Sequence, residues 1–295
     1  MISFSSFDAG DVTLNVATSG DPSATPVICL HGFPEYWAAW REVMLDLARD
    51  HFVIAPDQRG YNTSSKPVEL AAYKGRALAA DIAALADHYS PGRPVALAGH
   101  DWGASVAYAV AFLYPEKLSH LIIANGVHPV CFQRAIFDDP AQRAASQYIN
   151  RLRDPATDAR LLEDGCRRAF RMIEGFSPAP WLTGATRDGY RAAWSQPGAM
   201  TAMLNWYRAS PVVVPPPSAP APASALLHAD MSAFRVFCPH LLIWGDADQA
   251  LRQSSHADLG QFAPDLRIEH VDGATHWILH EKPAQVALAI RRFLG

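Results

Sequence analysis

The residue in this chain with the most direct route to chemistry is Asp101, set in the run Gly99-His100-Asp101-Trp102-Gly103. A short apolar stretch, residues 95–98, leads into it, and a helical pattern over residues 105–114 leads away. A strand that turns sharply into a helix holds one side chain up at the edge of a sheet. Glycines two positions before and two after suit the close backbone approach of such a turn. Serine is the usual occupant of the middle position, and an aspartate there changes the target. With a reference pKa of about 3.9 it is ionised without help from a base. It can displace at an electrophilic sp³ carbon and leave an ester joining protein to substrate. Attack on a carboxylic ester would give a high-energy anhydride, so esterase and lipase chemistry is disfavoured. An aspartate here can also do no more than cap the helix that follows; the later residues weigh against that.

An ester intermediate has to be hydrolysed, which requires a base to activate water and an acid to orient the base. In a doubly wound hydrolase core these follow the nucleophile in the order acid, then histidine, from loops at strand ends. Trp244-Gly245-Asp246-Ala247-Asp248 supplies two acids after one late strand. Val271-Asp272-Gly273-Ala274-Thr275-His276-Trp277 supplies a histidine after the last. Asp101, Asp248 and His276 then stand in the required order. Asp246 and His280 are alternatives, although His280 falls where the next helix begins. Neutral imidazole, with a reference pKa near 6.5, is the side chain best suited to take a proton from water, and a carboxylate fixes its tautomer. His31-Gly32-Phe33-Pro34-Glu35 follows another buried strand, and its backbone N–H groups can point into a site.

These residues need a sheet to bring them together. Residues 12–17 alternate like a half-buried strand, and residues 26–30, 52–55, 121–124, 241–244 and 266–271 also read as strands. Residues 76–89 and 283–294 carry helical periodicity. The first places Leu78, Ile82, Leu85 and Tyr89 on one face and Asp81 and Asp87 elsewhere. Strands alternating with helices predict an α/β fold, a mostly parallel doubly wound sheet covered on both faces. The pattern breaks at residue 130. Up to residue 208 the sequence is helical, Arg-rich and dotted with Trp; residues 210–225 are dominated by Pro and Ala and read as an extended tether, not a packed element. The expected organisation is a core of residues 1–130 and 230–295, with a helical cap of residues 131–229 inserted into it. Asp57-Gln58-Arg59-Gly60 reads as a structural turn.

With 295 residues, of which 49% are hydrophobic and 18% charged, the chain can bury a sizeable core. A net charge of -4 offers no electrostatic footprint for nucleic acid. Arg167, Arg168 and Arg171 fall at helical spacing and read as a solvated face. No apolar run approaches the ~20 residues of a membrane span, and residues 1–8 lack the charged and apolar regions of a signal peptide. Cys29, Cys131, Cys166 and Cys238 form no Cys-x-x-Cys pair and read as buried free thiols in a reducing, cytoplasmic setting. The histidines include no His-Glu-x-x-His, so neither a metal site nor a cofactor is expected.

On these motifs the chain resembles the α/β-hydrolase superfamily, specifically its epoxide hydrolase branch, over nearly its whole length. His31-Gly32-Phe33-Pro34-Glu35 resembles that branch's oxyanion-hole loop, which assigns the N–H groups of Phe33 and Trp102 to the oxyanion. The resemblance favours Asp248 over Asp246 as the acid and His276 as the base. It also implies two tyrosines in the cap that hydrogen-bond the epoxide oxygen. Asn205-Trp206-Tyr207-Arg208 matches one motif closely and gives Tyr207; Gln147-Tyr148, before Pro155, matches the other more loosely and gives Tyr148. Phenols are protonated donors at neutral pH, as an oxygen turning into an alkoxide requires. Phe132, Trp181, Met200 and Trp277 are candidate substrate-lining residues. The implied partners are an apolar epoxide and water. Asn62 stands where relatives usually carry Gly, and Asn tolerates left-handed geometry. A haloalkane dehalogenase shares the Asp nucleophile, but its relatives commonly place Asn where this chain has Phe33. A fluoroacetate-type dehalogenase would want arginines where Trp102 and Ser105 stand. A catalytically silent binder would have no use for Asp248 and His276 together.

Overall fold

The computed structural model describes residues 1–176 and 180–295. Its sheet is built from β1 (Ser3–Asp8), β2 (Thr13–Ser19), β3 (Pro26–Leu30), β4 (Phe52–Pro56), β5 (Val95–His100), β6 (Leu118–Ala124), β7 (His240–Gly245) and β8 (Leu266–Val271). The strand order is β1-β2-β4-β3-β5-β6-β7-β8. β1 and β2 pair antiparallel, as do β2 and β4; every other neighbouring pair is parallel. The sheet is therefore mostly parallel, with one antiparallel edge. β1 departs from the sequence expectation, which had no strand there. Its sequence, Ser-Phe-Ser-Ser-Phe-Asp, buries only Phe7 and carries no apolar run.

Parallel strands buried on both faces explain the continuous apolar runs. Along β3, Ile28 and Leu30 join one core cluster while Val27 and Cys29 join the other. This is the two-residue alternation of a pleated strand. The helices α1 (Arg41–Leu47), α2 (Gly75–Tyr89) and α3 (Trp102–Leu113) follow β3, β4 and β5 in the chain, and α12 (Pro283–Leu294) closes it. α2 and α3 pack on one face through Leu78, Ile82, Val106 and Val110. α1 and α12 pack on the other through Val43, Met44, Val286 and Ile290. Each fully buried Leu or Ile contributes about 1.5–3 kcal/mol relative to exposure. Asp81 departs from the reading of α2 that set it apart from the buried face. It is 3% exposed and receives Arg59 Nε at 2.6 Å, because the Asp57–Gly60 turn delivers a guanidinium to that spot.

Between β6 and β7 lie α4 (Pro129–Asp138), α5 (Pro140–Ala145), α6 (Gln147–Arg153), α7 (Thr157–Phe176), α8 (Gly184–Trp194), α9 (Ala199–Ala209) and the short α10 (Ala225–His228). α11 (Ile278–Glu281) precedes α12. Three indoles tie this insertion to the sheet layer. Trp194 donates to the Pro34 carbonyl at 2.5 Å, Trp206 to that of Arg59 at 3.1 Å, and Trp277 to that of Ile173 at 3.0 Å. The Pro- and Ala-rich run after α9 has no regular secondary structure up to α10, yet it does not hang free. Gln133 Nε2 donates to Val213 O at 2.9 Å and Gln133 Oε1 accepts from Val213 N at 2.8 Å. Asn150 and Gln147 donate to the carbonyls of Val214 and Pro215. Part of this extended backbone is thus satisfied by side chains from α4 and α6.

Candidate active site

β5 ends at His100 and α3 begins at Trp102, so Asp101 alone makes the turn. Its φ of 51° and ψ of -117° lie in territory that a non-glycine residue rarely occupies. Such a conformation costs on the order of 1–3 kcal/mol and persists where the surroundings enforce it. Here they do. A Cβ at Gly103 would collide with the Leu30 carbonyl, and one at Gly32 with the Asp101 side chain itself. With these glycines the loop after β3 comes close enough for Phe33 N–H to donate to Asp101 Oδ1 at 2.8 Å. Trp102 is the first residue of α3, where the helix leaves backbone N–H groups without an intrahelical carbonyl.

The loops after β7 and β8 bring the next two residues to the same end of the sheet. His276 Nδ1 donates to Asp248 Oδ2 at 2.8 Å, and His276 Nε2 lies 3.5 Å from Asp101 Oδ2. Asp248 is held by Asn125 Nδ2 at 2.7 Å and by the N–H groups of Ala250 and Leu251 at 2.8 and 2.9 Å. Burial opposes its ionisation, but His276 and these donors outweigh it and lower its pKa. Burial likewise opposes the imidazolium of His276, yet the carboxylates of Asp248 and Asp101 hold its pKa well above the ordinary histidine range. Asp246 instead bonds His270 at 2.7 Å, and His280 bonds Glu35, so neither alternative touches the group. Asn125, with φ of 37°, was missed by the sequence reading. Its Oδ1 accepts from Gly245 N at 2.8 Å while its Nδ2 reaches Asp248, pinning two loops at once. The signal that could have found it is the Asn-Gly step at the end of β6.

Tyr148 from α6 and Tyr207 from α9 face Asp101 from the insertion. Both line the two cavities that Asp101 also lines, and their rings pack edge to face 6.2 Å apart. Tyr207 also packs edge-on against Phe33 and Trp102 at 5.1 and 5.0 Å. Burial, and then nearby negative charge including that of Asp101, pushes both phenols above the ordinary tyrosine range. The larger cavity, about 250 Å³, includes Phe132 in its wall; the smaller, about 20 Å³, includes Phe33, His276 and Trp277. Trp181 and Met200 line neither cavity. Trp181 stacks flat on His280 with ring centroids 3.8 Å apart, and Met200 is 2% exposed within the core cluster. Their apolar character serves packing.

A second buried polar cluster adjoins the first. Glu35, 1% exposed, lies 2.9 Å from His100 Nδ1 and 2.7 Å from His280 Nε2, and accepts from Tyr190 OH at 3.0 Å. His100 Nε2 in turn meets the His276 carbonyl at 2.8 Å. Burial opposes the charge on Glu35, but its histidine partners lower its pKa well below the usual carboxylate range. Among the described residues no cluster of His, Cys, Asp and Glu is arranged to hold a metal ion. No helix among them is long and apolar enough to cross a membrane.

Residues 25–283 match the profile of the alpha/beta hydrolase fold family. The chain is 35% identical to an AB hydrolase superfamily protein of Bacillus subtilis, over 96% of this chain and 94% of that one. It is 31% identical to epoxide hydrolase A of Mycobacterium tuberculosis, over 97% and 95%. Among solved structures, one described under novel epoxide hydrolases from metagenomes of hot environments superposes with a TM-score of 0.88 at 34% identity, covering 100% of this chain and 99% of that one. An inhibitor-bound epoxide hydrolase of Bacillus megaterium has the same TM-score at 25% identity, over 98% and 99%.

Proposed function

The chain belongs to the α/β-hydrolase fold family, and we propose that within it this is an epoxide hydrolase working through an ester on Asp101. The named relatives support the reaction. The observation that supports the route is a carboxylate and two protonated phenols bordering the same cavities, with a carboxylate-held imidazole 3.5 Å from the carboxylate. Asp101 Oδ1 is engaged by Phe33 N–H, which leaves Oδ2 to attack. Oδ2 forms a bond to one ring carbon as that carbon's bond to the epoxide oxygen breaks. The oxygen takes a proton from Tyr148 or Tyr207 while accepting a hydrogen bond from the other. Because burial and the charge of Asp101 keep both phenols protonated, they are donors throughout the neutral range.

Esterification removes the charge from Asp101, one of the two carboxylates that raise the pKa of His276. The imidazolium then passes its proton to the phenolate left by ring opening and becomes a competent base. It takes a proton from water, and the resulting hydroxide adds to the ester carbonyl carbon. The N–H groups of Phe33 and Trp102 hold the oxyanion on Oδ1. Collapse expels the diol oxygen, which is protonated from His276, and the Asp101 carboxylate is restored. The remaining proton of the water passes from Asp101 to His276 and restores the starting state. The sum is epoxide plus water to vicinal diol.

His276→Gln tests the assignment. With an epoxide, this variant is expected to accumulate an ester on the peptide carrying Asp101, visible by mass spectrometry, with turnover lost. Unchanged turnover and no trapped ester would reject it.

A further inference from the structure

Asp101, Tyr148 and Tyr207 each border both cavities, so the reacting ring sits at a waist between two chambers of very different size. The larger chamber, about 250 Å³, is walled by apolar side chains such as Val106, Phe112, Phe132 and Leu226. The smaller, about 20 Å³, has Met172, Phe176 and His276 in its wall. Phe176 leans on both partners of the waist and base: its ring lies 5.6 Å from that of Tyr148 and 6.2 Å from that of His276. A cavity needs about 10–15 Å³ to hold one water molecule. The small chamber therefore has room for one water, and His276 is where the water of the second step must stand.

An oxirane at the waist directs the substituents of its two carbons to opposite sides. We propose that this chain is selective for terminal epoxides, with one apolar substituent lodged in the large chamber, and that Phe176 and Met172 set the limit by keeping the small chamber to the size of the hydrolytic water. The proposal rests on the reading of Asp101 and the two phenols given above. A bulky group on the second ring carbon has no space beside His276. If it enters, it takes the place of the water, and the ester on Asp101 forms without being hydrolysed.

The test uses the full chain and two isomers of equal carbon count, a straight-chain terminal epoxide and its mid-chain internal isomer. An overhang of several methylenes that a chamber of about 20 Å³ cannot hold is expected to lower kcat/KM for the internal isomer by at least about 100-fold. Phe176→Ala and Met172→Ala, made separately, should each raise the internal-to-terminal ratio about tenfold. The ratio of two substrates on one sample does not depend on the fraction folded, so a partly unfolded variant still reports. Comparable kcat/KM for both isomers in the unaltered chain overturns the proposal and leaves the ester mechanism standing. So does a ratio that neither variant moves. Absence of diol and of trapped ester with both isomers overturns the proposal together with the reading beneath it.

Discussion

His276 stands between Asp248 at 2.8 Å and Asp101 at 3.5 Å, and its proton affinity answers to both. Removing one charge by Asp101→Asn is expected to lower the pKa of His276, as read by NMR titration of its ring. A titration midpoint that does not move would show that Asp101 has no hold on it. The phenols make a complementary prediction. Tyr207→Phe and Tyr148→Phe each remove a donor from the developing alkoxide, so each should slow ester formation by roughly 10²–10³. Hydrolysis of ester already formed should be much less affected, and rapid-quench kinetics separates the two steps. The grouping of Asp101, Asp248 and His276 was legible because its information is one-dimensional: three residue types, in order, each just past a strand. Trp181 and Met200 were not placed correctly, since an apolar side chain on a helix does not announce whether it faces a cavity or a neighbouring ring.

At the scale of elements, the position of the two tyrosines depends on how the insertion docks on the sheet. Trp206 precedes Tyr207 in α9 and donates to the Arg59 carbonyl; Trp194 in α8 donates to that of Pro34, next to Phe33. Trp206→Phe and Trp194→Phe keep an aromatic ring but leave a buried carbonyl unpaired, at about 1–3 kcal/mol each. Urea unfolding is expected to show that loss, and hydrogen exchange should quicken in α8 and α9 before β3 and β5. Uniform exchange across both layers would contradict the role given to the indoles. The extended run after α9 was read as a tether because Pro and Ala carry no periodicity. Its packing comes from Gln133, Asn150, Gln147 and Arg153, whose contacts are invisible from the run itself. β1 escaped notice for a related reason. An edge strand has one neighbour and a mostly solvated surface, so its sequence need not be apolar.

Across the whole molecule, buried histidines set how stability follows pH. Burial lowers His128 to about 4 and His240 to about 3. Both take up protons more readily when unfolded, so stability should fall as pH drops below 6.5, by about 3 kcal/mol per histidine once pH reaches about 4. His276 acts at the other end. Its pKa is raised on folding, so its contribution is complete below 6.5 and is lost as pH rises through the raised value. Urea midpoints across a pH series should peak between these limits, and a flat acid limb would contradict the burial argument. The Glu35, His100, His280 and Tyr190 cluster belongs to this scale as well. Its members come from four distant stretches of chain, and no local pattern in sequence joins them. The catalytic cycle is the work of the assembled molecule, and one labelling experiment follows it. A single turnover in heavy-oxygen water, with enzyme in excess over epoxide, should yield diol free of the label, and the label should appear in the peptide carrying Asp101. Label in the first diol, with the Asp101 peptide unlabelled, would mean that water opens the ring directly and that no ester forms.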